Sequence, residues 1–173
     1  MNDDELRDAL VEAAYLEGDF VLRSGKRSSF YFDKYRFETR PDLLAPIGER
    51  IAAIVAEHEN GAALAGCSAG AMALSDWAPR MRDLVHPNQP TGLRLVQQVR
   101  VIPHFDKMLG WMPDMLRNAL LHTPSDSVLL GIDEDTALVG GPHEWTVQGR
   151  QSVWVLSEGS RVEYAAGATL TTP

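Results

Sequence analysis

Gly66-Cys67-Ser68-Ala69-Gly70 is the sharpest chemical signal in the chain, a G-x-S-x-G pattern between a small-residue run, 62–65, and a helix-forming run, Ala69–Leu74. This spacing suits a serine nucleophile on a tight strand-to-helix turn, where small neighbours let the backbone pass close enough to expose the hydroxyl. The helix that follows would aim free N–H groups at a developing oxyanion, with the Ala69 N–H as one donor. A serine hydroxyl is a weak nucleophile and needs a base held by a third group. Of the five histidines, His104 is the best base, because it ends the apolar run 99–102 in Pro103-His104-Phe105-Asp106. Strand ends of this kind are where α/β sites gather. His58 falls in a charged helix end, His86 and His122 in polar loops, and His143, the reserve base, in a Gly-Pro turn. For the acid, Asp133-Glu134-Asp135 ends the apolar run Val128–Ile132. Three adjacent carboxylates suit a triad acid, a metal site or a solvated turn, and no histidine accompanies them at ligand spacing. Cys67 lies beside the centre of the turn and reads as a small buried side chain, not as the nucleophile.

These groups must be positioned by elements of two kinds. Leu6, Leu10, Val11 and Ala14 recur at helical spacing after the caps Asn2 to Asp4 and predict an amphipathic helix ending near Gly18. Phe20-Val21-Leu22 and Phe30-Tyr31-Phe32 read as two strands around a polar turn that carries Arg23, Lys26 and Arg27. A second helix follows Pro41, with Leu43, Leu44, Ile47, Ile51, Ile54 and Val55 on its apolar face, and stops at Asn60-Gly61. Beyond it the pattern becomes α/β: strands at 62–65, 99–102 and 128–132, and helices at 69–74 and 107–121, the latter interrupted at Pro113. In that helix Met108, Trp111 and Met112 read as core packing. The tail 144–170 is strand and turn, with a hairpin of 153–156 and 161–164 around Ser157-Glu158-Gly159-Ser160, and Trp145 and Trp154 as anchors of its sheet.

Composition bounds the chemistry. The 173 residues are 45% hydrophobic and 23% charged, as in a globular chain. At this length roughly 70% of the unfolded surface can be buried without a disulfide or structural metal. One cysteine and no Cys/His cluster agree, so neither metal nor cofactor is expected. A net charge of -8 disfavours nucleic-acid binding. No apolar run approaches the ~20 residues of a membrane span, and the acidic start lacks the basic region of an export signal. The expectation is a cytoplasmic protein with a small-molecule or peptide ligand.

Residues 61–173 resemble the dipeptidase E and cyanophycinase group of serine peptidases, through AGCSAGAMAL around Ser68, VIPHFDKMLGWMP around His104, GIDEDTALVG around Glu134, and WTVQGRQSVWVL. The resemblance implies a class I glutamine-amidotransferase-like fold, with Ser68 as nucleophile, His104 as base and Glu134 as the orienting acid. It also implies a peptide or isopeptide substrate with aspartate at or beside the cleaved bond. That group carries further α/β units before the nucleophile, including a loop that donates a second oxyanion N–H. Their absence here implies a rate lower by ~10²–10³ for the lost donor. It also implies an open sheet edge, which the N-terminal segment or the second subunit of a homodimer would cover.

The stretch LVEAAYLEGDFVLRSGKRSSFYFDKYRFETRPDLL resembles instead the N-terminal segment of orotate phosphoribosyltransferase. That resemblance implies phosphoribosyl pyrophosphate contact at Arg23, where the family has lysine, and orotate against Tyr31 and Phe32. Lys26 adds a cation in the same turn. Intact orotate chemistry is not expected, because Thr136 is followed by Ala137-Leu138 instead of a glycine phosphate cradle. The combined expectation is an incomplete doubly wound α/β sheet with C-terminal β-hairpins in 60–173, preceded by a helix-hairpin-helix segment in 1–59. Its function would be a serine peptidase, impaired if nothing replaces the missing units, with a phosphoribosyltransferase-related binding protein or inactive hybrid as the alternative.

Overall fold

Asn2 starts the first helix: its side chain accepts the Glu5 N–H at 2.8 Å while the Glu5 carboxylate accepts the Asn2 N–H at 2.9 Å. This comes from a computed structural model that describes residues 1–22, 24–78, 92–111, 123–157 and 160–173. Its contacts cluster into two units, Met1–Leu64 and Ala65–Pro173.

In the first unit, α1 (Asp3–Ala14) ends four residues before the expected Gly18, and β1 (Tyr15–Val21) begins at once. Its partner is β2 (Arg27–Phe32), antiparallel, with Tyr15 opposite Phe32. Cross-strand aromatic contacts decide against the helix: Tyr15 stacks on Phe30 with ring centroids 5.8 Å apart, and Phe20 meets Tyr31 at 5.7 Å. Gly18 lies inside the strand, within the register shift between Glu17 and Phe20. A short helix not read from the sequence, α2 (Tyr35–Glu38), leads to α3 (Pro41–Glu59). Leu6, Ala13 and Leu43 form the core, with Ala9, Leu10, Phe37 and Ile47 packed around them. Only part of the predicted apolar face of α3 is buried, since Leu44, Ile51 and Ile54 are exposed.

The strand expected at 62–65 does not form: residues 62–67 have no ladder partner among the described residues. The turn at 66–70 therefore follows chain without a ladder partner among the described residues. Next come α4 (Ala69–Leu74), β3 (Val99–Pro103), α5 (Phe105–Trp111) and β4 (Val128–Ile132). The remaining strands are β5 (Thr136–Gly140), β6 (Glu144–Gly149), β7 (Ser152–Ser157), β8 (Ser160–Ala165) and β9 (Thr169–Thr171). β3 and β4 run parallel, and β7 and β8 extend them antiparallel into a four-stranded sheet ordered β3-β4-β7-β8. A separate three-stranded sheet is ordered β5-β6-β9; its first strand was not anticipated. The expected continuation of α5 through Pro113 to 121, with Met112, lies outside the described residues, as do Glu158 and Gly159 of the hairpin turn. The architecture is mixed α/β with several sheets, five helices among the described residues, and no closed barrel.

Alternation along β3 and β4 sends side chains to both faces of the sheet. Ile102 and Leu129 join Trp77, Phe105 and Leu156 in one cluster, while Val99, Val101 and Leu130 form another. Met108 and Trp154 pack against the first. Each such buried side chain contributes about 1.5–3 kcal/mol. Gly131 of β4 is required by this packing: a Cβ there would stand 2.5 Å from the Phe105 ring. Phe105 follows His104 directly, so its anchorage on the sheet also anchors the histidine. Among the described residues, no helix is long and apolar enough to cross a membrane.

Candidate active site

Parallel pairing sets Pro103 of β3 beside Ile132 of β4, so the residues that follow both strands leave the same edge of the sheet. Those residues are His104 and the 133–135 carboxylates. Ser68 reaches them through α4, whose Ala71 packs against the Val99, Val101 and Leu130 cluster. The far end of α4 is tied to β3 by the Asp76 N–H donating to the Val99 carbonyl at 3.0 Å and the Gln98 N–H to the Asp76 carboxylate at 2.7 Å.

Ser68 precedes α4 with φ 53° and ψ -115°, a conformation an L-residue adopts only at a cost of about 1–3 kcal/mol. Gly66 makes that turn possible, because a Cβ there would lie 2.6 Å from the backbone of Gly70. Gly70 has no such role: a Cβ on it would meet nothing within 4 Å. Cys67 is exposed, which corrects the expectation of a buried side chain. Residues 62–67 have no adjoining strand among those described to cover it.

Ser68 Oγ lies 2.8 Å from His104 Nε2, and His104 Nδ1 lies 3.3 Å from Glu134 Oε1. All three are partly open to solvent, with the His104 and Glu134 side chains 46% and 43% exposed. His104 also has a left-handed backbone, φ 53°, and its carbonyl accepts the N–H groups of Lys107 and Met108 at 3.0 and 2.9 Å. The strand end, the turn and the first turn of α5 together fix the imidazole. Ala69, as the first residue of α4, has no intrahelical acceptor for its N–H.

The three carboxylates take three directions. Asp133 is buried and accepts the Trp154 indole N–H at 3.0 Å and the Ser152 N–H at 3.3 Å. Asp135 is exposed, with φ 54°, and stands 3.9 Å from Arg150. Glu134 alone faces the histidine. They do not gather with His or Cys into a metal-holding group among the described residues.

Asp106 was not singled out by sequence reasoning, although it stands two residues after His104. Its Oδ1 accepts the Glu134 N–H at 3.0 Å and its Oδ2 pairs with Lys107 Nζ at 2.9 Å. Burial pushes the Asp106 carboxyl up, but the Glu134 N–H and the Lys107 ammonium outweigh it and hold the group below its ordinary value. The close contact with the Asp106 carboxylate, with the charge of Glu134, raises Lys107 in turn. Gln151, equally unread, donates from Nε2 to the Glu134 carbonyl at 2.9 Å.

Within the second unit, His143 is not brought to Ser68. His58 Nδ1 is 2.8 Å from the Ala62 carbonyl, and the reserve base His143 has its Nδ1 2.7 Å from the Pro173 carbonyl. His86 and His122 lie outside the described residues, as does Arg23. In the first unit Lys26, Tyr31 and Phe32 are exposed but do not converge. Adjacent residues on a strand face opposite sides, so Tyr31 meets Phe20 while Phe32 packs at 6.1 Å from Phe37. Lys26 precedes the other end of β2, where Arg27 pairs with Asp19.

No protein-family model matches the chain. A crystal structure of a peptidase from an acI-B1 Actinobacterium matches with a TM-score of 0.52 and 44% identity, covering 62% of this chain and 45% of its own. The orotate phosphoribosyltransferase of Methanocella arvoryzae is 46% identical over 54 residues, 31% of either chain. That of Natronomonas pharaonis is 41% identical over 75 residues, 43% of this chain and 41% of its own. The chain thus spans less than half the length of each relative, and both resemblances read from the sequence have a counterpart among known proteins.

Proposed function

We propose that residues 60–173 are the C-terminal portion of a serine peptidase of the dipeptidase E and cyanophycinase type, and that residues 1–59 are an orotate phosphoribosyltransferase-like segment joined to it. The observation that carries this reading is the relay from Ser68 through His104 to Glu134, at 2.8 and 3.3 Å, on a turn with a left-handed serine. The match to a peptidase structure at 44% identity supports it. The parallel β3–β4 pair, with α4 packed on β3, supports an incomplete doubly wound sheet.

In this mechanism His104 Nε2 takes the Ser68 proton as Oγ attacks the scissile carbonyl, and Glu134 holds the Nδ1–H and stabilises the imidazolium. The carbonyl oxygen turns toward the Ala69 N–H as it gains charge. His104 then returns its proton to the leaving amine, and water releases the acyl group from Ser68 by the same steps in reverse. The substrate class, a small peptide with aspartate at or beside the cleaved bond, follows from the resemblance. A site with the Ala69 N–H alone as oxyanion donor should turn over more slowly, by ~10²–10³, than one with two donors.

The test is product release from Asp-containing dipeptides by the protein and by Ser68→Ala, His104→Gln and Glu134→Ala variants. Turnover that vanishes in the first two and falls by ~10² or more in the third is the expected result. Undiminished turnover by Ser68→Ala overturns the mechanism. A second reading, a phosphoribosyltransferase-related binding protein or inactive hybrid, is favoured by the 46% and 41% identical relatives. Saturable calorimetric binding of orotate or phosphoribosyl pyrophosphate, without Ser68-dependent hydrolysis, would select it.

A further inference from the structure

We infer that Asp106 and Gln151 are positioning residues for the acid of the relay: they clamp the Glu134 backbone from both sides and thereby set the distance between acid and base. This rests on the peptidase reading for its catalytic meaning, though not for its geometry. Glu134 follows a strand end, and its side chain is 43% exposed, so solvent and rotamer freedom both compete with the 3.3 Å contact to His104. A carboxylate in that setting stays aimed only if its backbone cannot move.

The constraints come from three places in the chain. Asp106 Oδ1 takes the Glu134 N–H at 3.0 Å. On the other side, the Glu134 carbonyl accepts from Gln151 Nε2 at 2.9 Å and from Thr136 Oγ1 at 3.1 Å. Thr136 Oγ1 is itself fixed by the Gln151 N–H at 3.1 Å. Asp106 sits in the first turn of α5, whose opening hydrogen bonds end on the His104 carbonyl. One short helix therefore carries the base at its start and grips the acid two residues later.

Charge completes the arrangement. Lys107 Nζ lies 2.9 Å from Asp106 Oδ2 and 3.9 Å from Glu134 Oε2. The outer oxygen of Glu134 thus faces a cation, and Oε1 is the one left to His104. Asp106 side-chain exposure is only 17%, which keeps water from replacing it as acceptor.

The experiment is ¹⁵N spectroscopy of the His104 imidazole in the full chain, together with kcat and KM for the Ser68-dependent hydrolysis, in Asp106→Ala, Asp106→Asn, Gln151→Leu and Glu134→Ala variants. Asparagine keeps an oxygen that can accept the Glu134 N–H. The expected result is an Nδ1–H tautomer in the protein that is lost in Glu134→Ala, weakened in Asp106→Ala and Gln151→Leu, and retained in Asp106→Asn. Kinetically, Asp106→Ala should lose up to about 10² in kcat with KM nearly unchanged, and Asp106→Asn should recover most of it. If Asp106→Ala does not fold, Asp106→Asn and Gln151→Leu carry the test. An unchanged imidazole spectrum in Gln151→Leu and in Asp106→Ala overturns the clamp, as does an asparagine variant that behaves like alanine. If Ser68 proves inert, the peptidase reading fails, while the imidazole spectrum still decides the clamp.

Discussion

In the unit Met1–Leu64 the left-handed backbone of the described residues falls on glycines alone, Gly25 and Gly61, whereas in Ala65–Pro173 it also falls on Ser68, Arg94, Gln98, His104 and Asp135. Each such residue costs about 1–3 kcal/mol and persists only where its surroundings over-determine it. The second unit can impose that constraint, because its four-stranded sheet has buried clusters built from both faces. The first has a two-stranded ladder and a core of Leu6, Ala13 and Leu43, with Phe30, Tyr31 and Phe32 left exposed. Strained, chemically capable residues thus lie in the unit with the deeper core, while the aromatic strand of the other holds unstrained side chains that do not converge.

The contrast can be broken most strongly in the cores. Leu43 and Leu129 are both wholly buried, so alanine at either should cost about 2–5 kcal/mol. Hydrogen exchange should show the loss from Leu43→Ala on the amides of α1 and α3, and that from Leu129→Ala on β3 and β4, with Ser68 reactivity lost in the second case. Loss of Ser68 reactivity in Leu43→Ala alone would reverse the contrast.

A smaller effect separates Gly66 from Gly70, the two glycines that flank Ser68. Gly66→Ala forces backbone apart and should cost about 1–3 kcal/mol in denaturant unfolding. Gly70→Ala, within α4 and with open space at its Cβ, should stabilise by about 0.4–1 kcal/mol. Equal effects at the two positions would mean the turn is not held by close approach at Gly66.

Acid should act through Asp106. Its carboxyl is held below the ordinary value of 3.8, so its contribution to stability is present above that pH and is lost as pH falls through the lower, folded-state value. Urea midpoints of the protein and of Asp106→Asn should therefore differ at pH 7 and draw together as acid is added below 3.8. A gap that does not narrow would remove Asp106 from the acid response. The smallest effect belongs to the first unit: the Asp19–Arg27 pair is largely exposed, and Arg27→Ala should cost no more than about 0.2–1 kcal/mol in the same unfolding measurement.

What could be read from the sequence was local. Five residues marked the turn before α4, and the caps Asn2 to Asp4 marked the start of α1. The end of α1 was misread because helical spacing runs through Ala14, while the competing aromatic partners of Tyr15 lie across a ladder. The run 62–65 has the composition of a buried strand, but a strand exists only with a neighbour, and composition does not supply one. The acid was left among three carboxylates by the residues themselves; their directions depend on distant partners, such as Trp154, 21 positions after Asp133. Asp106 escaped notice for the same reason, since its partner is a backbone N–H 28 positions along the chain.

The central claim, that Ser68 is activated by its contact with His104, is tested most directly by intact-mass analysis after exposure to a fluorophosphonate probe, with peptide mapping, in the protein and in Ser68→Ala and His104→Gln. The account predicts one covalent adduct on Ser68, absent from both variants. A folded protein that takes no label, or one labelled equally without His104, would contradict it.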